Sequence, residues 1–124
     1  MKSLLALLLI ALVSGCATSN NHWGNYSNEL YTYYKDSSDK ERIELTEELA
    51  KIFERAEAKG INPPPGLYAE YGTLMLSQGQ TEQAIAYYSK EMDSWPESTV
   101  LMSALISTLS KQQSKGAGAE GTEQ

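Results

Sequence analysis

The stretch Gly66–Pro96, GLYAEYGTLMLSQGQTEQAIAYYSKEMDSWP, decides the fold. It holds two amphipathic segments on either side of Ser77-Gln78-Gly79-Gln80. In the first, Tyr68, Tyr71, Gly72 and Met75 recur at i, i+3, i+4 and i+7, which is one face of a helix. In the second, Ala84, Ile85, Tyr88 and Met92 recur at i, i+1, i+4 and i+8, again a single stripe. Gly79 suits the left-handed residue that ends a helix, and Gln80 or Thr81 opens the next one. So short a connection forces the two helices to pack antiparallel.

Laid on Ala84, the segment Pro65–Ser98 resembles one full unit of the tetratricopeptide (TPR) repeat, whose period is 34 residues. Gly72 and Ala84 stand at the small positions where the helices of such a unit approach closely. Pro96 stands at the proline that ends it, and Tyr68, Tyr71 and Tyr88 at large packing positions. Two positions depart from the pattern: Glu91 replaces a small residue, and Thr81 an aromatic one. A charge at a helix crossing predicts a loose contact there, or no further repeat beyond it. An ordinary helical hairpin would carry the same small residues. The resemblance implies an all-α fold of TPR-like antiparallel helical hairpins, about five helices in all, closed by a C-terminal capping helix.

The flanking segments extend this pattern. Tyr26, Leu30, Tyr33 and Tyr34 have helical spacing within Tyr26–Lys35, and an aromatic stripe of that kind is read as core before it is read as a recognition surface. Asp36–Asp39 is a break, after which Ser38 and Glu41 fit a capping box. The helix they open reaches about Lys59 with an apolar stripe of Leu45, Leu49, Ile52, Phe53 and Ala56. Glu47 and Lys51 form an i, i+4 pair on its wet face. Glu44, Glu47 and Glu48 are read as solvated polar residues, not as a catalytic or metal-binding cluster. Gly60 caps this helix with Ile61 as its hydrophobic clasp. Asn62-Pro63-Pro64-Pro65-Gly66 cannot be helical and is read as a stiff link that sets the angle between two helix pairs. Beyond Pro96, Ser98 opens a last helix to about Lys111, with a stripe of Met102, Leu105, Ile106 and Leu109. The remaining Ser114–Gln124 lacks hydrophobic periodicity and is expected to be disordered.

At the other end, Lys2 precedes the apolar run Leu4–Val13, too short to span a membrane and of the right length for a signal-peptide core. It ends in Val13-Ser14-Gly15-Cys16, which resembles a bacterial lipoprotein signal. The resemblance implies cleavage before Cys16, a diacylglycerol on its thiol and acylation of the new amino group. A plain secretory signal followed by a chance cysteine is the other reading. More than one acyl chain makes membrane anchoring stable. Ala17, in place of an aspartate, implies the outer membrane with the domain facing the periplasm. Ala17–Asn25 then reads as a polar tether, in which His22 has no ligand partner nearby and Trp23 rests on the first helix or at the membrane interface. The expected divisions are residues 1–15 as signal peptide, 16–25 as lipidated tether, 26–111 as helical domain and 112–124 as tail.

The chain has 124 residues and a formal charge of −6, from 10 basic and 16 acidic residues. That balance speaks against nucleic acid, which requires a basic face, and supplies no polybasic patch for anionic lipid. One cysteine and one histidine allow no internal disulfide and no zinc site built on those ligands. No nucleophile–base pair, phosphate loop or metal cluster stands out, so neither cofactor nor small-molecule substrate is expected, nor enzyme activity. The chemistry that the sequence specifies is modification of Cys16.

The TPR resemblance implies a partner groove lined by the first helix of each unit. By position it comprises Ala69, Thr73 and Leu76, with Val100 and Ser103 from the capping helix, and suits an extended peptide or a partner helix. Packing of those residues against Tyr26–Lys35 is the competing reading. The mature chain also resembles a family of small Gram-negative outer-membrane lipoproteins, through WGNY, the YTYY-type stretch, NPPPGLYAEYG and SWPES. Such proteins are often encoded beside a lipoprotein resembling the curli secretion channel. This implies a scaffold or accessory subunit of an envelope assembly or secretion system. A structural lipoprotein without a peptide groove and an envelope hydrolase using paired carboxylates are the alternatives.

Overall fold

The computed structural model describes residues 23–119. The expected signal peptide, Cys16 and His22 lie outside the described residues. Five α-helices follow one another: α1 Tyr26–Asp36, α2 Asp39–Ala58, α3 Leu67–Ser77, α4 Thr81–Ser94 and α5 Thr99–Ala119. A single 3-10 turn, Pro96–Ser98, joins α4 to α5. The described residues contain no strand, and the fold is all-α as expected. No helix among them is long and apolar enough to cross a membrane.

The connection between α3 and α4 forms as its residues dictate. The Gly79 amide donates to Leu76 O and the Gln80 amide to Met75 O, with Gly79 at φ +77°, a conformation that a Cβ penalises. The two helices then run back against each other, and their closest approach is at Gly72. A Cβ built there would lie 2.9 Å from Tyr88 Cε1 and 3.1 Å from Ala84 O. The small residues expected at 72 and 84 are therefore small because the helices cross at that point.

The core is continuous through four helices. Leu45, Leu49 and Ile52 of α2 meet Leu67, Leu74 and Met75 of α3, Ala84 and Tyr88 of α4, and Met102 and Leu109 of α5. The stripes of α2 and α5 thus face inward as their periodicity predicts, with Leu105 and Ile106 partly buried. Helix α1 contributes less: it has no buried residue, and Tyr26, Leu30 and Tyr33 pack only part of their surface on the core. Tyr34 from the same expected stripe is 66% exposed.

Several local expectations are corrected by tertiary packing. Ser38 occupies the N-cap of α2 but makes no side-chain cap hydrogen bond, and Glu41, its expected partner in the capping box, is buried. Lys51 lies 3.9 Å from Glu48 in place of the expected pair with Glu47. The predicted clasp at Ile61 leaves that side chain 48% exposed. Helix α5 does not stop near Lys111; it continues to Ala119, so residues 114–119 of the expected disordered tail are helical.

Glu91 is the largest departure. Of its two alternative consequences, a loose contact or no further repeat, the loose contact is not what the structure shows. The side chain is fully buried, and its Oε1 accepts hydrogen bonds from the Gly66 amide at 2.7 Å and the Ser98 hydroxyl at 3.2 Å. One carboxylate thereby ties the proline link before α3 to the turn before α5, and Ser98 uses its hydroxyl there. Two further bonds close the same corner: Trp95 Nε1 donates to Pro63 O at 3.2 Å, and Asn62 Nδ2 to Ser94 O at 3.4 Å. The link is thus stiff, as its prolines predict, and it is also bonded to the end of α4.

Candidate functional site

The five residues expected to line a groove fall in different settings. Ala69 and Leu76 on α3 are partly buried and pack on the core. Thr73 between them is exposed, but its Oγ1 donates to Ala69 O at 3.0 Å and lies 3.1 Å from the Tyr88 hydroxyl. On α5, Ser103 is exposed and donates to Met92 Sδ at 3.4 Å, while Val100 is 84% exposed. Among the described residues no hydrogen bond or ring contact joins the α3 trio to the α5 pair.

Glu70, next to Ala69, is half-buried, and burial pushes its carboxyl above the usual range. Tyr26 is pushed up to about 12, first by burial, then by the charge of Glu70 and then by Tyr34. Glu70 also raises Tyr34, and there it is the leading cause. The charge of one α3 carboxylate thus reaches two tyrosines of α1.

A second surface lies on the opposite helices. On α2, Ala50, Phe53, Glu54 and Glu57 share one face by their i, i+3, i+4, i+7 spacing. On α4, Tyr87 and Lys90 share a face at i, i+3. With Ile61 and Tyr68 these residues line an open cleft of about 520 Å³. Its floor is aromatic: Phe53 stands 4.7 Å from Tyr68 and 6.0 Å from Tyr87, centroid to centroid, and Tyr71 stands 4.4 Å from Tyr87. These separations suit tilted and edge contacts between rings.

The cleft holds a cation of its own. Lys90 Nζ sits 4.6 Å from the Tyr87 ring centroid and 5.9 Å from that of Tyr68, within the range of cation–π attraction. Burial pushes the Tyr68 hydroxyl up, and the charges of Glu57 and Glu91 add to the shift. Tyr87 is raised by burial and then by its neighbour Tyr71. Both rings therefore remain neutral phenols, π-faces able to receive a positive charge.

Phe53, Tyr68 and Tyr71 are legible in the sequence as packing residues, whereas Tyr87 and Lys90 belong to no apolar stripe. The available signal was the pair Tyr87-Tyr88. Adjacent helical residues point about 100° apart, so Tyr88 entering the core sends Tyr87 to a flanking face.

A family model describing a domain of unknown function (DUF4810) matches residues 21–105. The chain belongs to this family. No curated protein and no solved structure matches it. The DUF4810 match takes in the whole cleft, the five expected groove residues and all of α1 to α4, and leaves Cys16 outside. Among the described residues of this DUF4810 protein, no group of three or more His, Cys, Asp or Glu is placed to hold a metal ion.

Proposed function

We propose that this DUF4810 chain is an outer-membrane lipoprotein, anchored through lipid on Cys16 and facing the periplasm. Its TPR-like body serves as an interaction scaffold or accessory subunit of an envelope assembly. The observation that carries the anchor is Val13-Ser14-Gly15-Cys16 directly after a short apolar run. The tether that follows is short: from Cys16 to Trp23 the chain spans at most about 25 Å, at roughly 3.3–3.6 Å per residue. The body is thus held close to the bilayer, where its partners would be other envelope proteins. The TPR-like reading is supported by the close crossing at Gly72 and Ala84 and by α5 packing on α4 in the place of a next unit's first helix.

The test has two arms. Cys16→Ser is expected to release the protein from envelope fractions; retention like that of the wild type would overturn the anchor. Cross-linking of the native chain in intact cells, read by mass spectrometry, is expected to recover a second envelope protein. Recovery of the chain alone would count against the scaffold. The packing of Ala69 and Leu76 on the core favours one variant of this reading, a structural accessory without a peptide groove on α3. Val100→Glu separates the two, since a side chain so exposed tolerates the change. Loss of the cross-linked partner indicates docking along α5, whereas unchanged recovery places the interface elsewhere.

A further inference from the structure

We infer that the aromatic cleft between α2, α3 and α4 binds an arginine side chain of a partner protein, and that Lys90 is the built-in cation which that arginine displaces. The inference rests on the interaction-module reading and names the site and the chemistry of its partner.

Three observations support it. The cleft is a recess of about 520 Å³, large enough to admit a side chain and part of its backbone. Its floor presents the faces of Tyr68 and Tyr87, and Lys90 already shows that a cation is accommodated there, 4.6 Å above Tyr87. Its lining carries the exposed carboxylates of Glu54 and Glu57 against the single positive charge of Lys90, so it remains net negative when Lys90 is in place. Arginine suits these features better than lysine. Its planar guanidinium stacks on an aromatic face, donates to carboxylates in a fork and is more weakly hydrated than an ammonium. Lys90 itself is exposed, on a flexible four-carbon stem, so it can swing into water without disturbing the helices.

The sign of the Lys90 effect makes the inference testable. The full chain in detergent micelles is titrated with acetyl-Ala-Arg-Ala-amide while the ring resonances of Phe53, Tyr68 and Tyr87 are followed by NMR. The citrulline peptide, equal in shape but uncharged, serves as the comparison. Arginine is expected to shift these rings and to bind about two- to fivefold more tightly than citrulline, the range for a cation over an exposed aromatic face. Lys90→Met is expected to strengthen binding by removing the competitor, and the doubly substituted E54Q/E57Q chain to weaken it. Both alterations lie on exposed positions and leave the core untouched. Equal binding of the two peptides would overturn the inference. So would loss of arginine binding in Lys90→Met, because Lys90 would then help to hold the peptide and not compete with it. Cys16→Ser is expected to bind arginine as the wild type does, so failure of the anchor and failure of the cleft give different results.

Discussion

Helices α3 and α4 approach until a glycine lies against a tyrosine ring, whereas α1 packs on α2 with no buried side chain of its own. In the second pair the contact is apolar and continuous, from Leu67 to Met75 on one side and from Ala84 to Tyr88 on the other. In the first pair α1 buries nothing completely, and the turn between the helices passes through Ser37 at φ +47°. A polar clasp holds the N-terminal end instead. The Asn25 amide donates to Glu48 Oε1 at 2.9 Å, and Arg55 Nη2 reaches the same oxygen at 3.4 Å. Gly24 lies so close that any Cβ would collide with Glu48 and Arg55, and its φ is +53°. The difference teaches that α2 to α5 form the stable body, and that α1 is fastened to it with no fully buried side chain of its own. Elements with few buried apolar contacts open first, so α1 is expected to open before α2, α3 and α4.

The strongest way to break this comparison is to remove what covers α4. Deleting residues 97–124 takes away Met102 and Leu109, each buried side chain being worth about 1.5–3 kcal/mol. Against a total of about 5–15 kcal/mol, cooperative thermal unfolding is expected to be lost or strongly lowered. An unchanged melting curve would show that α5 is not a cap. Next in size is Gly72→Leu, which drives a side chain into Tyr88 and the Ala84 carbonyl and should cost about 3 kcal/mol in denaturant titration.

Glu91→Ala should follow, at about 1–3 kcal/mol, because it strips the Gly66 amide and the Ser98 hydroxyl of their acceptor. Glu91→Gln keeps an oxygen in place and should lose less. If alanine and glutamine were equal, the corner would be held by Trp95 and Asn62 alone. Gly24→Ala probes the weaker hairpin. Strain and the displaced Glu48 should cost about 1–2 kcal/mol, seen chiefly as faster hydrogen exchange of the Asn25 amide while the α3 and α4 amides stay protected. Uniform acceleration would deny that the two regions differ. Smallest is Ser38→Ala, expected below about 0.5 kcal/mol since its hydroxyl caps nothing, where a working cap would cost about 0.5–2 kcal/mol.

The helices and their inward faces were legible in the residues, because both follow from neighbours within one turn. Leu45, Leu49 and Ile52 repeat with the helical period and face the core. The side chains that join elements were not legible in the same way. Glu91 looked like a charge misplaced at a crossing, and Glu48 like one more solvated carboxylate. Each instead accepts backbone amides from 25 and 23 residues away. The expected groove suffered from the same limit: position within a repeat could nominate Ala69 and Leu76, but not reveal that they would pack on the core.

By itself, then, the sequence determined five helices, the stop at Gly79, the close crossing at Gly72 and the identity of the buried stripes. Those depend on φ, side-chain volume and a 3.6-residue period, which are properties of local chain. Tertiary structure alone decided that Glu91 and Glu48 are bonded anchors, and that Phe53, Tyr68, Tyr87 and Lys90 share one cleft. Which side chains meet across helices depends on the angles at which those helices pack, and such angles arise only when the whole core closes.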